Sequence, residues 1–201
     1  MEIFKKHDRI IFNGNGYSDE WVKEAQKRGL PNLKSTVDAI PALLYEENVK
    51  AYSSMNVLSK IELESRYEIL LEDYIKKINI ESLTMLEMAK QEILPCCIEY
   101  VTSLSNGIIA KEKIGLLIPN EKASVVSMSE LTEKLIADIN DLEDAKNNIM
   151  HNCDILETAR YYQDVIIPRM KTLRTTADSL ETVVAKDYWP FPTYEDLLYR
   201  V

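Results

Sequence analysis

Met128, Leu135, Leu142, Ile149 and Leu156 recur at steps of seven, and Leu131, Ile139, Ala145, Cys153 and Ala159 fill the intervals of three or four between them. This is the spacing of an apolar stripe along one helix face. With no glycine between Met128 and Val184, the spacing predicts a helix over about 128–186. A helix of about 55 residues reaches roughly 80 Å, far beyond the ~11–12-residue mean of globular domains. It needs partners of similar length laid along its stripe.

One such partner is written upstream. Ser59 with Glu62 forms a capping box, and behind it Leu63, Tyr67, Leu70, Tyr74, Ile78, Met85, Ala89, Ile93, Cys97, Tyr100 and Leu104 trace a second stripe. The predicted helix spans about 60–106, bends at Pro95 and stops at Asn106-Gly107. The segment 107–127 then reads as a long surface connection. The two long helices are expected to lie antiparallel, with Pro168 in the middle of the second. The aliphatic pair before each proline does not amount to an internal repeat.

The N-terminal segment is richer in backbone punctuation. Arg9-Ile10-Ile11-Phe12 reads as a short strand, and Asn13-Gly14-Asn15-Gly16 as a tight loop of two Asn-Gly steps suited to positive φ. Ser18 is the expected N-cap of a short helix, with Tyr17 and Val22 as a hydrophobic staple and Gly29 as its C′ stop. Thr36 caps a further helical stretch through Lys50, with Pro41 near its first turn. At the other end, Tyr188-Trp189-Pro190-Phe191-Pro192 breaks the helix. Thr193 and Asp196 recap a short terminal helix carrying Tyr194, Leu197, Leu198 and Tyr199. So aromatic a tail is expected to dock on a groove, and the segment Phe12 to Trp21 is the expected partner. The fold class is therefore all-α: an elongated antiparallel bundle built on two long helices, with a small loop-and-helix segment at 1–56 and the bundle with its tail at 57–201.

Composition narrows the function classes. A formal net charge of -9 opposes nucleic-acid backbones and anionic membranes. No uninterrupted run of about 18 apolar residues occurs, and the charged start is unlike a secretory signal. Three cysteines, two of them adjacent, do not make a spaced disulfide framework, so the expected location is cytoplasmic.

The candidates for chemistry are few. His7 sits among charged residues with no nucleophile at an informative spacing, which reads as a solvated side chain. His151 and Cys153 are two apart and cannot share a helix face as paired metal ligands do. Neither histidine has a glutamate three residues before it, the pattern of a metal-binding bundle. Cys96 and Cys97 have no adjoining Lys, Arg or His to activate a thiolate, so packing is expected. Gly14 and Gly16 lack the remainder of a phosphate loop. No catalytic, cofactor-binding or metal residue is assigned, and the residues alone describe a structural or interaction module.

The stretch Arg9-Ile10-Ile11-Phe12-Asn13-Gly14-Asn15-Gly16-Tyr17-Ser18-Asp19-Glu20-Trp21, with Ala25 and Arg28-Gly29-Leu30-Pro31-Asn32-Leu33 after it, closely resembles the part of type III glutamine synthetases that follows their catalytic domain. Ser65-Arg66-Tyr67-Glu68, Tyr74 through Ile80, Ala89 through Pro95 and the closing Trp189-Pro190-Phe191-Pro192-Thr193-Tyr194 extend the resemblance over nearly the whole chain, with Glu195 standing where the family has glycine. The resemblance implies a C-terminal region of a longer cytoplasmic ligase that joins ammonia to glutamate with ATP and divalent metal (Mg or Mn). It further implies an upstream catalytic domain as partner and assembly as paired hexameric rings. The family's metal-binding glutamates and substrate arginines lie upstream of this region. Two classes follow: an accessory region of that ligase, or a free-standing helical interaction module. A ligase domain upstream in the same reading frame separates them.

Overall fold

Many helix starts and stops are set by local chemistry in the computed structural model, which describes residues 2–149 and 154–199. Eight α-helices and no strand occur among the described residues, so the all-α class holds. The chain divides into two compact units, 1–70 and 71–201.

The first unit holds α1 (Glu2–Lys6), α2 (Asp19–Lys27), α3 (Thr36–Ala39), α4 (Glu46–Ser54) and the start of α5 (Lys60–Lys113). The strand expected at 9–12 is absent; Asp8–Ile10 is a 3-10 turn instead. Ser18 caps α2 as expected, its Oγ accepting from Trp21 N–H at 3.3 Å. Gly29, at φ 72°, closes α2 with Leu30 N–H donating to Ala25 O and its own N–H to Gln26 O, a Schellman stop. Asn56, at φ 50°, closes α4 in the same way. Ser35 caps α3, not Thr36, its Oγ accepting from Asp38 N–H at 3.0 Å. Pro41 explains why 36–50 is not one helix. Lacking an N–H, it turns Ile40–Leu44 into a 3-10 stretch, and α4 restarts at Glu46. The capping box is present, with Ser59 N–H on Glu62 Oε2 at 2.7 Å and Glu62 N–H on Ser59 Oγ at 3.3 Å.

The second unit is built from the rest of α5, α6 (Pro119–Asn147), α7 (155–181) and α8 (Tyr194–Tyr199). The single helix expected over 128–186 is two helices. Asn148 caps the end of α6, and Asp154 opens α7, its carboxylate accepting from Leu156 N–H at 3.2 Å. Because Ile149 and Leu156 stand seven residues apart in the sequence, they stay in phase with the stripe, and periodicity alone does not register the reversal. Similarly α5 runs through Gly107, and Gly115 at φ 82° is the true stop, with Leu116 N–H on Lys111 O and Gly115 N–H on Glu112 O. The long connection expected at 107–127 shrinks to 114–118.

Rungs of ion pairs fix the directions. Lys111 meets Glu121 at 2.5 Å, Lys122 meets Glu112, and Lys90 meets Glu143 at 2.5 Å. Each step up α5 is a step down α6, so the two are antiparallel. Tyr161 Oη on Ala145 O, Thr176 Oγ1 on Asp138 and Arg169 on Asp141 show the same for α6 and α7. It follows that α5 and α7 run parallel, with α6 as the antiparallel partner of both. Much of the predicted stripe is core: Leu135, Leu142 and Ala159 are fully buried and Met128, Ile139 and Ala145 nearly so, while Leu131, Ile149 and Leu156 are half-buried. On α5, Leu71 turns inward where Leu70 was expected; two adjacent leucines give the pattern no means of choosing.

Both bundle prolines are preceded by a π-helical turn, Ala89–Ile93 and Tyr162–Ile166, with Leu94 N–H reaching Ala89 O and Ile167 N–H reaching Tyr162 O. A proline ring clashes with the carbonyl four residues back and donates nothing to it. Widening the turn moves the Gln91 and Asp164 carbonyls aside, so each helix continues through its proline. By length and composition α5 is apolar enough to cross a membrane, its 18-residue window averaging 1.3 in mean hydropathy. Of that window, 17% is buried within the chain.

Candidate functional site

The most densely tied polar group of the first unit is Arg28, in the last turn of α2. Its Nε donates to Glu24 at 2.6 Å, its second nitrogen donates to Ile11 O at 2.8 Å, and its guanidinium lies 5.9 Å from the Trp21 ring. The Arg28 hydrogen bond holds the Glu24 carboxyl below its ordinary value, partial desolvation opposing it. Trp21 in turn stacks on Phe12, centroids 4.4 Å apart. Arg28 therefore fastens the backbone before the Asn-Gly loop to the helix after it, and together with Asp8, Ile11 and Asn13 it lines a recess of about 510 Å³.

The loop itself is not built on left-handed glycines, since neither Gly14 nor Gly16 has positive φ. Asn15 makes the turn: its Oδ1 accepts from Tyr17 N–H at 3.0 Å and its carbonyl from Ser18 N–H at 3.1 Å. Gly14 is needed for room, because a Cβ there would lie 2.5 Å from the Phe12 ring that Trp21 holds in place. Tyr17 is fully exposed, so the expected staple with Val22 is not formed; Trp21 on Phe12 takes its place.

The sequence candidates do not converge. His7 is exposed ahead of the Asp8–Ile10 turn and caps nothing with its side chain. His151 and Cys153 lie outside the described residues. Cys96 and Cys97 are buried and unbridged. Burial pushes the Cys97 thiol up to about 12, reinforced by Cys96, and raises Cys96 as well, which leaves both without thiolate character at neutral pH. Among the described residues no three His, Cys, Asp or Glu side chains converge as metal ligands do.

A family model described as the glutamine synthetase C-terminal domain matches residues 1–112. The chain belongs to this family. It is 38% identical to a glutamine synthetase of Butyrivibrio fibrisolvens over all of its own length and 29% of that protein's. It is 33% identical to a type-3 glutamine synthetase of Dictyostelium discoideum, over 96% of the chain and 27% of that protein. A glutamine synthetase of Bacteroides fragilis is 26% identical over 94% of the chain and 27% of its own length. The chain thus spans under a third of these curated relatives, as a C-terminal region of the type III enzymes.

Within this glutamine synthetase region, the matched span holds the Arg28 node and the Pro95 turn, while the bundle contributes an Asn79 node that no local pattern announces. Asn79 Oδ1 accepts from Tyr162 Oη at 3.0 Å and from the Lys146 ammonium, which also lies 5.5 Å from the Tyr162 ring. One side chain so joins α5, α6 and α7; burial lowers the Lys146 pKa and raises that of Tyr162. The tail docks as expected, but on its own unit. Tyr188 packs 5.0 Å from Tyr100, and Trp189 meets Phe191 edge-on at 6.3 Å against the core. Phe12, the partner expected for it, is stacked on Trp21.

Beyond the tail, Thr193 N–H donates to Asp196 Oδ2 at 3.0 Å and Asp196 N–H to Thr193 Oγ1 at 3.3 Å, while Lys186 Nζ donates to Oδ1 at 2.9 Å. Lys186 first, then Thr193, lower the Asp196 pKa from 3.8 to about 2. A lowered folded-state value means that these bonds stabilise at pH above 3.8 and are lost as pH falls through about 2. An NMR titration of the Thr193 amide should therefore show a midpoint near 2; a midpoint of 3.8 would mean that the cap is not made.

Proposed function

We propose that this chain is the accessory C-terminal region of a type III glutamine synthetase, supplying stability and assembly contacts and no catalytic group. In this reading the parent enzyme ligates ammonia to glutamate, in the cytoplasm, with ATP and magnesium or manganese held by its upstream part, and assembles as paired hexameric rings. The observation that carries it is the alignment: the whole chain pairs with only 29% of the Butyrivibrio relative, leaving the larger part of that enzyme to hold the chemistry.

The test is association. The upstream part of the Butyrivibrio enzyme, truncated before the region aligned with this chain, should bind this chain at micromolar concentration and gain thermal stability. Two species that elute separately, with no change in melting, would overturn the accessory reading.

A further inference from the structure

Between α5, α7 and the aromatic tail, the second unit holds an open groove of about 600 Å³, within the range of ligand-binding clefts. Met85, Met88, Met170, Leu173, Trp189 and Phe191 give it an apolar floor. Methionine-rich surfaces are adaptable, because an unbranched thioether repacks around different partners at low cost. One polar feature narrows the occupant. Among its lining residues Arg174 donates to Asp178 at 2.7 Å, so that pair is balanced internally, while Glu81 and Glu181 add two further acidic side chains.

The geometry points to a peptide-docking groove that takes an apolar segment carrying lysine or arginine. Apolar side chains fill the methionine floor, and the cation meets Glu81 and Glu181. A hydrocarbon ligand answers the floor alone, and an acidic segment is repelled at the rim. This site is additional to the accessory role and does not depend on it.

The probe is an acetylated, amidated hexapeptide of alternating leucine and lysine, titrated into the full chain carrying Trp21→Phe so that Trp189 alone reports by fluorescence. Saturable binding is expected, weakened at least tenfold when glutamate replaces lysine or alanine replaces leucine. Thr84→Phe, on the exposed rim, should block binding with helicity unchanged, and Glu81→Gln with Glu181→Gln should abolish the preference for lysine over glutamate. No saturable binding by the leucine–lysine peptide, equal binding by its glutamate form, or undiminished binding to Thr84→Phe would each overturn the proposal.

Discussion

Leu142→Asp should lower the melting temperature by roughly 15 °C or abolish cooperative unfolding, the largest stability effect available in the bundle. Leu142 is fully buried on α6, in one core with Leu135, Ile139, Ile166 and Leu173. The substitution removes an aliphatic side chain from a close-packed site and leaves an unpaired carboxylate in its place. Leucine truncation alone costs about 2–5 kcal/mol, and burying the charge adds to it. Against a total stability of about 5–15 kcal/mol this is decisive. The same change at Leu117, which is 95% exposed in the α5–α6 turn, should move stability by no more than about 0.5 kcal/mol. Ile149→Asp should fall between them, since Ile149 is only half-buried. Equal melts for Leu142→Asp and Leu117→Asp would mean that the heptad stripe is not the core.

The second large effect belongs to the tail. Trp189→Ala should cost about 2–3 kcal/mol, at or below the lower end of the ~3–5 kcal/mol found for fully buried aromatics, because the ring is half-buried and its N–H has no bond to lose. Phe191→Ala should follow the same pattern. Both should raise amide exchange in α5 around Ile93 to Tyr100, where the tail packs and Tyr188 meets Tyr100. Two nearby prolines, Pro190 and Pro192, stiffen the docked segment and reduce the entropy lost on ordering it. Unchanged urea midpoints and unchanged exchange in α5 would show that the tail is not seated there.

What could be read from the chain beforehand was whatever short-range chemistry decides. Ser18, Gly29, the Ser59–Glu62 box and the Thr193–Asp196 box each act through bonds spanning a few residues, and all appear where the sequence places them. The core face of α6 was legible for the same reason, since helical period and burial coincide. The reversal between α6 and α7 was not, because Ile149 and Leu156 stand seven residues apart in the sequence and keep the phase that periodicity measures. Choosing Gly115 over Gly107 as the helix stop also depends on packing, as the ion pairs Lys111–Glu121 and Lys122–Glu112 hold α5 helical beyond Gly107. Arg28 and Asn79 were missed as organising residues for a third reason. Arg28 reaches back 17 residues to Ile11, and Asn79 is joined to Lys146 and Tyr162 across 67 and 83 residues. Neither has a local signature beyond its presence in the stretches that resemble the glutamine synthetases.

The accessory reading rests finally on where the chemistry resides. Purified to remove any contaminating synthetase and incubated with glutamate, ammonia, ATP and magnesium, this chain alone should form glutamine at the rate of the blank; turnover that persists through purification and scales with the amount of chain would contradict the account.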